Sequence, residues 1–201
     1  MRRPGFVVAV AVLAGLPALA VHGAPAAASI TGTVKAGGLA SNADAVVYVD
    51  GVTGASPAAP VLMDQVKMQF APHVLPVVVG TTVKFRNSDP TPHNVFSPDF
   101  EKYNLGTWPT GQSKDYTFAK CAKFPCAYTQ LCRVHPEMEG FVVVLPNGYF
   151  GVSDRQGHYE ISGVPPGKYT LAVWHPKLKA APQPVTVEAG KPAIADFSLG
   201  K

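Results

Sequence analysis

A short segment in the carboxy-terminal half of the chain places three possible metal donors at regular intervals. Cys132, His135 and Met138 lie three residues apart between two strand-like runs, so a single loop can arrange a thiolate, an imidazole and a thioether around one point. A fourth donor must come from elsewhere. His93 is well placed for this, because it follows the strand-like run Val83–Arg86, and we expect it to lie in a loop.

The chemistry of these four donors restricts the metal. Two imidazoles, one thiolate and one weak thioether match the trigonal copper site with two His, one Cys and a long axial Met. Zinc prefers four strong donors. Iron–sulfur clusters usually require four thiolates, whereas the chain contains 3 cysteines. The sequence therefore predicts one copper ion that alternates between Cu(I) and Cu(II).

The first residues have the pattern of an export signal. A pair of arginines precedes an apolar run from Phe6 to Leu19, which is too short to span a membrane comfortably. We interpret 1–24 as a signal peptide, cleaved after Ala20 or Ala24; an uncleaved anchor is the alternative. The mature protein is then expected to be periplasmic or secreted in a bacterium and to have no membrane span.

Export also bears on the cysteines, because disulfides persist in an oxidising compartment. An odd number of cysteines allows one disulfide and leaves one residue for another role. Cys121 and Cys126 flank a turn that contains Pro125, so they can close a small hairpin disulfide. The alternative for this pair is a second thiolate metal site. In either case, Cys132 remains available as a copper ligand.

The composition favours strands and turns over helices. Glycine and proline together number 39 (19 plus 20), and only 15% of the residues are charged. Many short strand-like segments alternate with turn residues, and no stretch shows a helical period, so we predict an all-β fold. Val66–Phe70 reads as one strand, which makes Met68 a strand residue. The basic residues are scattered, and nucleic-acid binding is not expected.

The residues around both ligand segments resemble the cupredoxin family. The resemblance covers 61–147 and implies a Greek-key β-sandwich that carries single electrons between periplasmic partners, with His93, Cys132, His135 and Met138 as copper ligands. It is carried by two blocks, Val79–Asp89 followed by His93-Asn94-Val95, and Cys132-Arg133-Val134-His135-Pro136-Glu137-Met138 followed by Glu139–Val144.

Two further residues are candidates for supporting the copper site. Asn94 resembles an asparagine that braces the ligand loops of cupredoxins by hydrogen bonding; alternatively, it only favours a turn. His73 follows Phe70-Ala71-Pro72 near the expected metal end of the sandwich. It is a further ligand, a hydrogen-bond donor to the ligands, or a surface and packing residue, and the sequence leaves these three roles open.

The segments on either side of the copper-binding part resemble a second family. Ser153–Ile161 and Val164–Leu171 are similar to the carboxypeptidase-regulatory or transthyretin-like β-sandwich, whose usual first strands match Ile30–Val34 and Ala45–Val49. We therefore predict a small discontinuous sandwich made of 29–55 and 148–201, with the cupredoxin domain inserted into it. Insertion at an exposed loop is tolerated when the attachment points are close together.

The resemblance favours a periplasmic type 1 copper protein that transfers electrons and is not an enzyme, because four donors leave no open position for a substrate. Its partner is expected to be a redox protein, such as a c-type cytochrome or a periplasmic dehydrogenase or oxidase. Two alternatives remain: a copper carrier or chaperone, and a cell-surface binding module that carries a copper site. The mature charge of about +2 (15 basic minus 13 acidic residues) says little about partners.

Overall fold

The computed structural model describes residues 26–54 and 59–201. Within these residues every regular element is a β-strand, so the all-β prediction is confirmed. No helix among these residues has the length and apolar character needed to cross a membrane. The predicted signal peptide lies outside the described residues, as do residues 55–58 of the predicted first host segment and the loop after it.

The strands follow one another closely, and many contain valine or alternate buried and exposed residues, as expected for half-buried sheets. Their bounds are β1 Ala28–Ala36, β2 Val46–Asp50, β3 Val61–Val66, β4 Gln69–Ala71, β5 Val74–Val78, β6 Thr82–Asn87, β7 His93–Ser97, β8 Tyr103–Trp108, β9 Ser113–Thr117, β10 Cys126–Leu131, β11 Glu139–Leu145, β12 Phe150–Val152, β13 His158–Val164, β14 Gly167–Trp174, β15 Gln183–Val187, β16 Ala193–Ile194 and β17 Phe197–Leu199.

Strands β3 to β11 form the sandwich that contains the predicted ligands. One sheet has the order β5-β11-β10-β7-β8, and the other has the order β4-β3-β6-β9. Their facing side chains make an apolar core, in which each fully buried large side chain contributes roughly 1.5–3 kcal/mol. The largest of these side chains are Met63, Phe85, Trp108, Phe118, Tyr128 and Met138.

The second sandwich is assembled from both ends of the described chain. β1 pairs with β13, β16 and β17, and β2 lies between β12 and β14, with β15 beyond β14. The entire β3–β11 unit thus separates β1 and β2 in sequence from the strands with which they pair. Their core is built mainly of aliphatic residues, among them Ile30, Val47, Ile161, Leu171 and Val187.

Strand β11 belongs to two apolar cores at once. Its side chains alternate, so Val142 and Val144 face the core of the β3–β11 sandwich. Phe141, Val143 and Leu145 face the opposite way and pack against the second sandwich. The two sandwiches are therefore joined by a continuous apolar contact. The residues that meet there from the second sandwich include Val46, Tyr48, Phe150, Ala172 and Trp174.

The prediction of a single strand over Val66–Phe70 was wrong. β3 ends at Val66, and the chain reverses through Lys67 and Met68 before β4 begins at Gln69. Both turn residues have positive φ, 56° and 54°, which a two-residue hairpin of type I′ requires. Non-glycine residues in this conformation cost about 1 to 3 kcal/mol each unless neighbouring contacts hold them. Met68 is consequently an exposed turn residue rather than a strand residue.

Candidate metal centre

His93 starts strand β7 and does not lie in a loop, contrary to the prediction. It pairs with Trp108 of the edge strand β8 and is fully buried. The strand fixes the backbone of His93, so the direction of its imidazole is set by the sheet. A histidine placed in this way cannot easily swing out to solvent.

The structure brings His93 together with two of the other predicted ligands. Nδ1 of His93 lies 3.0 Å from Nδ1 of His135 and 3.9 Å from Sγ of Cys132. The three donor atoms all lie within 4.8 Å of one another. Donors that are each about 2 Å from a common ion are separated by roughly 3 to 4 Å, so the observed spacing suits one metal ion. Cys132 is 3% exposed, whereas His135 is partly exposed.

Met138 lies at the end of the same loop and is 1% exposed in the core that also contains Cys132. Its backbone amide donates to the carbonyl of His135 at 3.0 Å, which closes a tight turn between the two residues. The next residue begins β11, and at Gly140 in this strand a Cβ would lie only 2.7 Å from Cβ of Phe70. The position of Met138 is compatible with the predicted axial donor, and that role stays a prediction.

Asn94 connects the two segments that carry the donors. Its amide nitrogen Nδ2 donates to Oδ1 of Asn104 at 2.8 Å and to the carbonyl of Gly106 at 2.7 Å. Its Oδ1 accepts from the backbone amide of Arg133 at 3.4 Å, and its own backbone amide donates to Sγ of Cys132, also at 3.4 Å. The side chain therefore ties β7 to β8 and to the residue after the cysteine, which agrees with a bracing role.

Sequence reasoning missed Asp89, which contacts His93 on the side away from the donor cluster. Oδ2 of Asp89 accepts a hydrogen bond from Nε2 of His93 at 2.9 Å, and both side chains are buried. Burial by itself raises the pKa of Asp89, but hydrogen bonds from Met68, His93 and Lys67 outweigh it and lower the pKa. The only sequence signal is an aspartate four residues before the histidine, in the turn Asn87–Asp89.

His73 lies outside the donor cluster. Its Nδ1 is 2.8 Å from Oδ2 of Asp44, a residue just before β2 of the second sandwich, and its ring packs edge-on against Phe141. Its backbone carbonyl accepts from the amide of Phe141. The hydrogen bond to Asp44, assisted by the charges of Asp44 and Glu139, raises the pKa of His73 against the lowering effect of burial and Lys177. His73 thus links the two sandwiches beside the ligand loop.

The other two cysteines are joined to each other. Cys121 and Cys126 form a disulfide, and Cys132 is the free thiol. The hydroxyl of Tyr128 donates to the carbonyl of Lys120 just before this disulfide loop. The loop therefore packs on the core near β10, the strand that leads to the donor cysteine, and it leaves the thiol of Cys132 unpaired with sulfur.

The surface around His135 is partly apolar. Pro92, Val134 and Pro136 are exposed there. The ring of the partly buried Phe96 is covered by the guanidinium of Arg133, which lies 5.1 Å from the ring centre. A positive charge thus lies beside this partly apolar surface.

These observations define an all-β protein of two sandwiches with a His-Cys-His cluster that suits a metal ion. Residues 138–200 match the carboxypeptidase regulatory-like domain, a match that begins inside the segment we assigned to the copper-binding domain. No curated protein sequence matches the chain.

Several solved copper proteins are similar in structure, all with low TM-scores. A copper-containing nitrite reductase from Thermus scotoductus SA-01 is 30% identical over 47% of this chain and 24% of its own, with a TM-score of 0.39. An amicyanin variant is 26% identical over 49% of this chain and 98% of its own, with a TM-score of 0.39. A purple cupredoxin from Nitrosopumilus maritimus is 26% identical over 44% of this chain and 100% of its own, with a TM-score of 0.37. The chain spans about a quarter of the length of the nitrite reductase that it matches.

Proposed function

We propose that the protein is a mononuclear copper protein that transfers single electrons between redox partners. The observation that carries this proposal is the convergence of His93 Nδ1, His135 Nδ1 and Cys132 Sγ within 4.8 Å of one another, with His93 and Cys132 buried. A bound copper ion would supply one-electron exchange between its Cu(I) and Cu(II) states. The protein residues hold the donors in place, so the site needs little rearrangement when its charge changes.

The choice of copper rests on the donor set. A thiolate and two imidazoles, with the thioether of Met138 as the fourth and weaker donor, suit both oxidation states of copper. The buried positions of Cys132 and Met138 exclude water from most of the site. His135 is partly exposed, so its ring edge offers a short path between the site and a partner at the surface.

The same features favour an electron carrier over a protein that delivers copper. A delivery site must release its metal, whereas His93 and Cys132 are held inside the sandwich, by β7 and by the hydrogen bond from Asn94. We further propose that the protein works in the periplasm or outside the cell. Its partner is then a c-type cytochrome or a periplasmic dehydrogenase or oxidase, reached through the rim formed by Pro92, Val134 and Pro136.

The test begins with the purified mature chain, freed of metal and titrated with Cu(II). An intense visible thiolate-to-copper band should appear at one equivalent, and Cys132→Ala should abolish it. The double variant Cys121→Ser, Cys126→Ser is the matched control, because it removes two cysteines and should keep the band. A wild-type protein that takes up Zn²⁺ in preference to copper and shows no band would refute the copper assignment.

A redox titration then distinguishes electron transfer from copper delivery. Repeated reduction and reoxidation in the presence of a Cu(I) chelator should return the full visible band, because the copper stays bound in both states. Loss of copper to the chelator upon reduction would contradict electron transfer and support copper delivery instead.

A further inference from the structure

The buried carboxylate of Asp89 contacts the imidazole of His93 at the ring nitrogen that points away from the donor cluster. Asp89 is 6% exposed, and His93 is fully buried. Oδ2 of Asp89 and Nε2 of His93 are 2.9 Å apart, while Nδ1 of the same ring faces His135 and Cys132. The imidazole therefore stands between a buried negative charge and the donor cluster.

The hydrogen bonds of Asp89 fix where the ring carries its proton. The carboxylate of Asp89 also accepts from two backbone amides, that of Lys67 at 2.5 Å and that of Met68 at 2.8 Å. Amides can only donate, so the carboxylate is an acceptor throughout. Nε2 of His93 must then be the protonated nitrogen, which leaves the lone pair of Nδ1 directed at the cluster.

Asp89 cannot turn away from this position. Its backbone amide donates to Oδ1 of Asn87 at 2.9 Å, and its carbonyl accepts from the hydroxyl of Thr110 at 2.6 Å. The two amides that reach its carboxylate belong to the left-handed turn between β3 and β4. The carboxylate thus holds the strained turn on one side and the ring of His93 on the other.

We propose that Asp89 is the positioning residue of the copper centre: it keeps His93 in the tautomer that presents Nδ1 to the metal, and its charge lowers the reduction potential. Only the claim about the reduction potential rests on the proposed function; the claim about the tautomer does not. A buried anion near the site stabilises Cu(II) more than Cu(I), because the oxidised ion carries the larger positive charge. Carboxylate partners of ligating histidines act on metal sites in this way.

The variant Asp89→Asn removes the charge and replaces one acceptor oxygen with an NH₂ group, which cannot accept from Nε2. It also weakens the turn, so it is best made in a background with Lys67→Asn and Met68→Gly. Asn-Gly is the preferred pair for a type I′ hairpin, and this background should keep the turn without help from the carboxylate. Asp154→Asn is the matched control, because Asp154 likewise accepts from a backbone amide in a turn, but in the second sandwich.

Two measurements decide the proposal. In the metal-free protein, long-range ¹H–¹⁵N correlation spectra should show His93 protonated at Nε2 in the background and in the control, and shifted toward Nδ1–H after Asp89→Asn. In the copper-loaded protein, the ratio of Cu(I) to Cu(II) at a fixed ambient potential should rise about tenfold, equivalent to about 59 mV. An unchanged tautomer together with an unchanged potential would overturn the proposal.

The two halves fail separately. If the wild-type protein shows no thiolate-to-copper band, the proposed function is wrong, and the tautomer of the metal-free protein still tests what Asp89 does to His93. If the band is present but the potential falls or stays constant after Asp89→Asn, the electrostatic half is wrong while the copper assignment stands.

Discussion

The backbone amide of Asn94 donates to Sγ of Cys132 at 3.4 Å. Strand β7, which carries His93, is therefore hydrogen-bonded directly to the cysteine of the ligand loop. The side chain of Asn94 reinforces this link through Asn104, Gly106 and Arg133. The separation between the two segments is therefore set by the protein before any metal arrives.

Asn94→Ala should loosen this link. The loss of three side-chain hydrogen bonds, two of them short, should lower the free energy of unfolding of the metal-free protein by about 1 to 3 kcal/mol. It should also broaden and weaken the visible band of the copper form. Denaturant unfolding and absorption spectra measure the two effects.

The control for this change is Asn147→Ala. Asn147 is a buried asparagine after β11 that donates to the carbonyls of Val49 and Val52, at the end of β2 in the second sandwich. Its removal should destabilise the protein to a similar extent and leave the band unchanged. Equal spectral effects of the two variants would show that Asn94 acts only through general stability.

Met138→Leu tests the axial donor. Leucine fills a similar volume without sulfur, so copper should remain bound while the reduction potential rises, because a weak donor to Cu(II) is lost. Voltammetry of the loaded protein measures the change. Met63→Leu is the matched control, since Met63 is equally buried in the same core; a potential that moves equally in both variants would remove Met138 from the ligand set.

Sequence predicted the approach of Cys132 and His135, which are close in sequence, and of His93, which is not. Cys132, His135 and Met138 lie in one loop, and their spacing alone suggests a shared point. Asp89 escaped notice because its role depends on contacts that are distant in sequence. An aspartate four residues before a histidine is ordinary, and its meaning appears only when the β3–β4 turn folds over it.

The contact between the two sandwiches was missed for a related reason. Phe141 to Leu145 is an uninterrupted apolar run, the pattern of a strand buried on both faces. The sequence shows that both faces are covered, but the alternation that assigns Val142 to one core and Val143 to another follows only from the register of β11. The Lys67-Met68 turn was missed because neither residue is a usual choice for positive φ.

Removal of the disulfide should change stability and leave the metal centre intact. Cys121 and Cys126 close a loop with a sequence separation of 5, for which the chain-entropy relation gives a stabilisation of about 2 kcal/mol. The double serine variant should lose about this free energy of unfolding. Denaturant titration measures it, and a lost visible band in the same variant would show that the disulfide loop also shapes the site.

The pair formed by His73 and Asp44 should make stability depend on pH. The pKa of His73 is raised in the folded protein, so its contribution is complete below the ordinary value of about 6.5 and is lost as the pH rises through the folded pKa. Because the side chain of His73 is 44% exposed, solvent screening keeps the effect below about 1 kcal/mol.

Unfolding of wild type and His73→Gln between about pH 5 and pH 9 would measure this dependence. The difference between the two proteins should be largest at the acidic end and shrink toward the alkaline end. Asp44→Asn should reproduce the loss, and the double variant should add little to either single one. A difference that grows with pH would contradict a raised pKa of His73 in the folded protein.

The rim around His135 gives a prediction about docking. Pro92→Glu places a negative charge beside the exposed edge of the site and should slow electron transfer to the native partner several-fold, without altering the copper spectrum. Ile194→Glu is the control, because Ile194 is 77% exposed on the second sandwich. Stopped-flow oxidation with the partner compares the two; a slower rate for the control alone would place docking on the second sandwich.

The pairing of β1 also determines the order in which the protein can be completed during synthesis. β1 is among the first described segments of the chain, yet its partners β13, β16 and β17 all come from residue 158 onward. The strands of the β3–β11 sandwich pair only with one another and come from one continuous stretch of chain, so this unit can fold before the partners of β1 have been synthesised. Contacts of such long sequence separation form slowly. A chain cut before Phe197 would lack β17 and leave Val34–Ala36, the second half of β1, as an open sheet edge that can pair with another chain.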